Sequence, residues 1–326
     1  MTTQTQSLVG TSLDGYVLES LIGEGSFSWA YSAARPGENR RQAIKMAKPA
    51  ELIKDIGAKR FGQTEALMFI TGGVSGVIPD PVQLLALQSL KIQQSKDPAL
   101  PSVDSIVTTA DVCYCRMELL EGRTLRDVMK SGPVSTALLL ELVQIVERLS
   151  TNSNFKFHGD LKPENIMVTP SGVRIVDPGY FGPLDCQEGN LEHCVVTTPA
   201  YYPLLAPDDL YALGFILWEV ICRRHPLEAG AGFSEAADKS GVGDELFRFV
   251  RQRELVGQYF LTPILETGRP AEIRRGLPPG VEGLLLKALR LKITPENKIE
   301  KEMGFENFTA LANGLRALMA SGVTEL

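Results

Sequence analysis

The sequence predicts an α+β chain in which strands come first and helices follow, and three observations carry that prediction. Between Tyr16 and Glu118 the apolar segments are short and broken by glycine and polar turns: Tyr16–Ile22, Trp29–Tyr31, Gln42–Met46 and Asp111–Glu118. Beyond Ser135 the apolar residues recur at helical spacing instead, as in Leu138, Leu142, Ile145 and Leu149, and in the run Asp208–Glu219. Strands grouped before helices, not alternating with them, fit segregated α+β packing better than a parallel α/β sheet.

Composition narrows the class. The chain has 326 residues, 44% hydrophobic and 22% charged, enough for one large domain or two lobes with a sizeable core. A net charge of -6 gives no electrostatic reason to expect nucleic acid or an anionic membrane as partner. The longest apolar run, Leu210–Cys222, falls short of a bilayer span by roughly a third. The polar start (Thr2 to Ser7) lacks the apolar run of a secretory signal, so residues 1–14 read as a loose leader and the expected location is cytoplasmic. Five cysteines at irregular spacing match no disulfide or zinc framework; Cys186, His193 and Cys194 lack a fourth ligand nearby, and free thiols are the expectation.

The first strand leads into Gly23-Glu24-Gly25-Ser26-Phe27-Ser28 before Trp29 resumes the second. Such a hairpin lets backbone approach a phosphate closely, because Gly23 and Gly25 carry no Cβ. Lys45 lies inside the next apolar strand, where an ammonium needs a partner. Arg60–Met68 reads as a helix that carries Glu65, with Phe61, Leu67 and Met68 available to pack inward. Val82–Leu87 reads as a further strand, with Gln88–Ala110 as a long insert and possible partner surface. A rival reading makes 82–94 a helix and Ser105–Thr108 the strand. Ser135 caps a helix running to about Ser150, and three more helices are expected at about 243–256, 280–291 and 305–320.

One loop organises the rest: His158-Gly159-Asp160-Leu161-Lys162-Pro163-Glu164-Asn165, with Ile166, Met167 and Val168 behind it. It holds a carboxylate, an amine and a carboxamide at short fixed spacing. A second carboxylate, Asp177, follows in Val173–Gly179 at the end of a strand. This series resembles the eukaryotic-like serine/threonine protein kinases, whose catalytic loop reads H-R-D-L-K-P-E-N and whose metal-binding turn reads D-F-G.

The resemblance spans nearly the whole chain beyond residue 14. It implies a bilobal protein-kinase-like fold, with a small lobe over 15–118 (an antiparallel sheet plus one helix) and a mainly helical large lobe over 119–326. It implies ATP and Mg²⁺ as cofactors and a protein substrate with a serine or threonine acceptor. Asp160 would orient the attacking hydroxyl, Lys162 would neutralise the transferring group, and Thr198 would contact both. Asn165 and Asp177 would hold the metal. Ile22, Gly23, Gly25, Ser26 and Phe27 would cover the phosphates; Lys45 would grip them and pair with Glu65. Met117, Glu118 and Leu120 would line the adenine site. Tyr180–Pro203 would form the activation segment, and Asp209 would brace the catalytic loop.

Four departures qualify this. Gly159 replaces the arginine that pairs with activation-segment phosphate in other members, so switching by that route is not expected. Pro178 replaces the phenylalanine of D-F-G and biases Asp177 toward extended backbone. Leu204 stands where a glutamate is expected, with Lys298 as the altered counterpart of its arginine. The H-G-D form also occurs in aminoglycoside and choline phosphotransferases, which makes a small-molecule kinase the runner-up; a nucleotide-binding pseudokinase scaffold is the third reading.

Overall fold

The computed structural model describes residues 8–50, 52, 80–109, 112–186, 190–198, 201–202, 207–226, 269–296 and 298–326. These fall into two compact units, one drawn from Met1–Gly122, Ser153–Phe155 and Arg174–Val196, the other from Arg123–Asn152, Lys156–Val173 and Thr197–Leu326.

The first unit is built on an antiparallel sheet. Its strands are β1 (Ser12–Leu13), β2 (Tyr16–Glu24), β3 (Ser28–Ala34), β4 (Arg41–Ala47), β5 (Val103–Thr108) and β6 (Cys113–Glu118), in the order β1-β2-β3-β4-β6-β5. Alternation sorts the side chains onto two faces. Tyr16, Leu18, Trp29, Tyr31, Ile44 and Tyr114 form one apolar cluster. Ala43, Ala47, Cys113, Cys115 and Met117 form another, closed by Leu85 of helix α1 (Pro81–Ser95). Lys45, at the same parity as Ala43 and Ala47, shares the face that α1 covers.

Helix α1 corrects the strand expected at Val82–Leu87. Asp80 caps it by accepting from Val82 N at 2.9 Å, and Pro81 stands at its first turn, where a missing N–H costs nothing. Gln88–Ala110 is accordingly no insert: it holds the second half of α1, a turn and β5. The six-residue apolar run that suggested a strand is one side of a helix buried at Leu84, Leu85, Ser89 and Ile92. Residues 8–14 are no loose leader either. Ser12 and Leu13 pair with Val17 and Tyr16, and Leu8 and Leu13 pack on the core. The unit also holds a hairpin, β10 (Tyr180–Cys186) against β11 (Asn190–Val196), within the stretch expected to be the activation segment; Tyr180 and Val196 pack with Leu84 and Phe27.

In the second unit, β7 (Arg123–Thr124) pairs with β8 (Ile166–Thr169), and β9 (Gly172–Ile175) completes a three-stranded sheet. Thr124 caps α2 (Leu125–Ser131), and Ser135 caps α3 (Thr136–Thr151) by accepting from Leu138 N at 3.1 Å. The inward stripe of α3 runs through Leu139, Leu142, Val143, Val146 and Leu149, so Leu139 takes the place expected of Leu138. Helix α4 (Asp209–Cys222) is buried at nearly every position. Gly214 is required there because a Cβ would lie 2.7 Å from the Ala288 carbonyl oxygen.

Helices α5 (Pro270–Ile273), α6 (Val281–Ala288) and α7 (Phe308–Ala320), with the hairpin of β12 (Leu291–Ile293) and β13 (Ile299–Lys301), complete the unit. The helix expected at 243–256, the Glu65 helix and Leu204 lie outside the described residues. No described helix is long and apolar enough to cross a membrane.

Candidate active site

The loop between α3 and β8 is held from beneath by Asp209 at the start of α4. Its carboxylate accepts from His158 N at 2.6 Å and Gly159 N at 2.9 Å, which is the expected brace. Tyr202 joins it: the phenol donates to Asp209 at 2.6 Å and accepts from Leu161 N at 2.8 Å. Burial, then the Asp209 charge, push the Tyr202 hydroxyl well above its ordinary pKa, so it stays a donor. Gly159 has φ +79°, a left-handed conformation that glycine adopts without strain. Its carbonyl accepts from Thr197 Oγ1 at 2.7 Å.

On this base four sequence-predicted residues converge. Lys162 Nζ lies 3.3 Å from the Asp160 carboxylate and donates to Thr198 Oγ1 at 2.7 Å. Thr198 N donates to Asp160 Oδ1 at 2.6 Å. Asn165 Nδ2 donates to the Asp160 carbonyl at 2.8 Å and to its carboxylate at 3.0 Å. Burial raises the pKa of Asp160, and the opposing pull of Lys162 and the Thr198 bonds does not cancel it. A carboxylate with its proton affinity raised is suited to receive a proton from a hydroxyl. The 3₁₀ turn Pro163–Asn165 returns the chain to β8 and fixes Asn165, which is 5% exposed.

Glu164, from the same turn, pairs with Arg126 of α2 at 2.7 Å. Arg126 also bonds Glu219 of α4 and donates to Tyr201 Oη at 2.9 Å, while Tyr201 donates to Glu219 at 2.6 Å. This network ties the loop to two helices.

The first unit holds the other predicted residues. Lys45 Nζ pairs with Asp177 Oδ1 at 2.7 Å. Asp177 has φ +56°, so the extended backbone expected ahead of Pro178 is not adopted. In the glycine hairpin, β2 runs through Gly23 to Glu24 and the turn itself is Gly25-Ser26-Phe27, closed by Gly25 N to Ser28 O at 2.9 Å. Lys48 stabilises it from behind, bonding Glu24 at 2.8 Å, with its N–H on the Phe27 carbonyl. Neither glycine has a positive φ, and a Cβ at Gly23 or Gly25 would meet nothing closer than 3.6 Å. Their own fold does not require glycine; what glycine adds is open space over the turn. Ile22 is half exposed beside it.

Met117 is buried on β6, paired with Ala43. Glu118 donates its N–H to Ser102 O at 2.9 Å, and its carboxylate bonds Arg174 at 2.6 Å. Burial would raise the Glu118 pKa, but Arg174 and the Ser102 N–H outweigh it and hold it low. Strand pairing ends there, and Leu120 follows in non-sheet backbone.

No family model matches the chain. A kinase of Clostridium perfringens called probable serine/threonine-protein kinase CPE1738 is 26% identical over 218 residues, 63% of this chain and 28% of that protein. Serine/threonine-protein kinase PknA of Mycobacterium tuberculosis is 25% identical over 252 residues, 71% of this chain and 52% of its own length. This chain therefore spans about half or less of these relatives. Among solved structures, the Mycobacterium tuberculosis PknI kinase domain matches with a TM-score of 0.52 at 16% identity, over 95% of this chain and 98% of that one. In sequence the chain is similar to these serine/threonine-protein kinases. It has the bilobal α+β kinase fold that the loop and hairpin motifs implied.

Lys298, expected to take the arginine's structural role, lies on the β12–β13 connection with its N–H on Thr294 Oγ1 at 3.3 Å. The cation at the start of α4 is Arg290, which bonds Asp208 and lies 4.7 Å from the Tyr211 ring centroid. Arg290 and Asp208 are 82 positions apart, and no local pattern marks them. Cys113, Cys115 and Cys222 are buried free thiols; burial pushes Cys115 to about 11, so it is an inert packing residue. Among the described residues no cluster of metal-ligand type is present.

Proposed function

We propose that this chain is a Mg-ATP-dependent serine/threonine protein kinase that works without phosphate on the segment following Val196. The observation that carries the reading is the closed set of contacts among Asp160, Lys162, Asn165 and Thr198. Asp160 receives the proton of a serine or threonine hydroxyl. Lys162 places its ammonium where negative charge spreads over the transferred oxygens. Thr198 holds both in register through its hydroxyl and its N–H.

The residues present suit a hard cation. Asp177 offers a carboxylate, and Asn165, with its NH₂ committed to Asp160, offers an amide oxygen. Bound Mg²⁺ would neutralise the nucleotide phosphates. Lys45 is placed beside Asp177 to meet those phosphates, and the absence of a side chain at Gly25 leaves open space over the turn for their approach. Replacing Gly25 with valine is expected to raise the KM for ATP about tenfold, as the loss of one or two hydrogen bonds does, with little change in Tm. A Tm fall with unchanged KM would assign Gly25 to folding.

Independence from phosphorylation rests on Thr197 and Thr198. Both hydroxyls already bond the catalytic loop, to Gly159 O and Lys162 Nζ. Phosphate on either would remove a contact, and Gly159 offers no cation to receive it. Phosphatase-treated protein should retain its initial rate; a treated sample that is inactive until rephosphorylated would reject this part of the reading.

Intact mass after incubation with Mg-ATP tests the function as a whole, with and without a serine/threonine-rich protein. Phosphate gained by the wild type and not by Asp160→Asn establishes a protein kinase. No gain, with ADP released in the presence of small alcohols or amines, points to a small-molecule kinase. No turnover with retained nucleotide binding points to a pseudokinase.

A further inference from the structure

Helix α1 (Pro81–Ser95) contains neither aspartate nor glutamate, although it covers the sheet face that carries Lys45. What it does contribute is an amide. Gln88 Nε2 donates to the Pro178 carbonyl at 2.5 Å, a contact between residues 90 positions apart. Pro178 has no N–H, so its carbonyl is the one strong backbone group with which it can be held. The residue before it, Asp177, is in the left-handed region, which is unfavourable for a non-glycine residue and persists only where neighbours enforce it.

We infer that Gln88 is a positioning residue that holds Asp177 on Lys45 by fixing the Pro178 carbonyl. The helix is a rigid platform for this. One turn earlier Leu85 is buried with Ala43, Ala47, Cys115 and Met117, and Leu84 is buried with Phe27, Tyr180 and Val196. Ser89, next to Gln88, is 2% exposed and bonds the Cys115 thiol. The sheet therefore fixes Lys45 directly and fixes Gln88 through α1, and the Asp177-Pro178 turn is gripped at both residues. Among the described residues, the carboxylate that meets Lys45 in this grip is the proposed metal ligand itself. Lys45 and the cation consequently share Asp177, and Gln88 decides how far that carboxylate can move between them. This functional consequence rests on the proposed Mg-nucleotide reading; the placement does not.

Two uncharged variants of similar size remove the donor: Gln88→Met and Gln88→Leu. The first measurement is the rate of Lys45 acylation by an amine-reactive ester, read by mass spectrometry without nucleotide, with Asp177→Asn as the reference for a broken pair. Loss of one neutral hydrogen bond predicts a rise of about fivefold in both variants. Rates equal to wild type in the variant that folds, by circular dichroism, overturn the placement.

The second measurement is the Mg²⁺ concentration giving half-maximal binding of a fluorescent ATP analogue. The inference expects it to change in the same variants by a similar factor, whereas a purely structural role would lower Tm and leave it unmoved. An unchanged Mg²⁺ dependence with raised acylation overturns the functional half. A wild type that binds no analogue instead refutes the Mg-nucleotide reading, and acylation then decides the placement by itself.

Discussion

Asp160→Asn is expected to lower the rate of phosphoryl transfer by about 10²–10⁴, the contribution of a positioned general base, while leaving the protein at least as stable as wild type at neutral pH. The two halves follow from one environment. Burial raises the Asp160 pKa despite Lys162 and Thr198, so the ionised form is disfavoured where catalysis needs it. The sign for stability follows. A carboxyl whose folded pKa lies above its unfolded value binds protons more readily when folded. Its ionisation therefore costs stability, fully above the folded pKa and not at all below the unfolded one. Asparagine removes that cost, so the variant's relative stability should be greatest at neutral pH and should shrink on acidification. The wild-type rate should also fall, as pH drops, at a value above the ordinary carboxylate range near 3.8. Tm and initial rate measured across pH for both proteins check all three. An acid limb at or below the ordinary value would remove Asp160 as the base.

Asp209→Ala should produce a large loss of stability in the second unit. The carboxylate, 5% exposed, accepts from His158 N, Gly159 N and Tyr202 Oη. Alanine leaves two buried N–H groups and one phenol without that acceptor, and each orphaned group costs about 1–3 kcal/mol. The expected sum is about 3–5 kcal/mol, lowered where Tyr202 can turn to a neighbour. Activity should fall with it, because the same bonds hold the backbone on which Asp160 and Lys162 stand. Denaturant unfolding should show a lower midpoint at unchanged slope. A variant with wild-type midpoint would mean the loop is held by Thr197 and Tyr202 instead.

The contrast between these residues shows which parts were legible in the sequence. Asp160, Lys162 and Asn165 sit within six consecutive positions, and a loop that short, followed by a strand, leaves little freedom in how its side chains converge. Thr198 was placed by resemblance, and its contacts with Asp160 and Lys162 are present. The helix from Thr136 was readable because Ser135 and the apolar stripe are local signals. The apolar run Val82–Leu87 was not, since six residues suit a strand or one side of a helix equally. The fold shows a helix capped by Asp80 and buried along one side at Leu84, Leu85, Ser89 and Ile92.

By itself, then, the sequence determined what depends on neighbours along the chain: the catalytic loop, the glycine turn, the capped helices, and the order of strands before helices. Tertiary structure alone decided the partners brought from afar. Lys45 meets Asp177 across 132 positions, Gln88 meets Pro178 across 90, and Arg290 meets Asp208 across 82. Charge and hydrogen bonding select a partner by distance in space, and a lone lysine, glutamine or arginine carries no mark of which distant group the fold will bring to it.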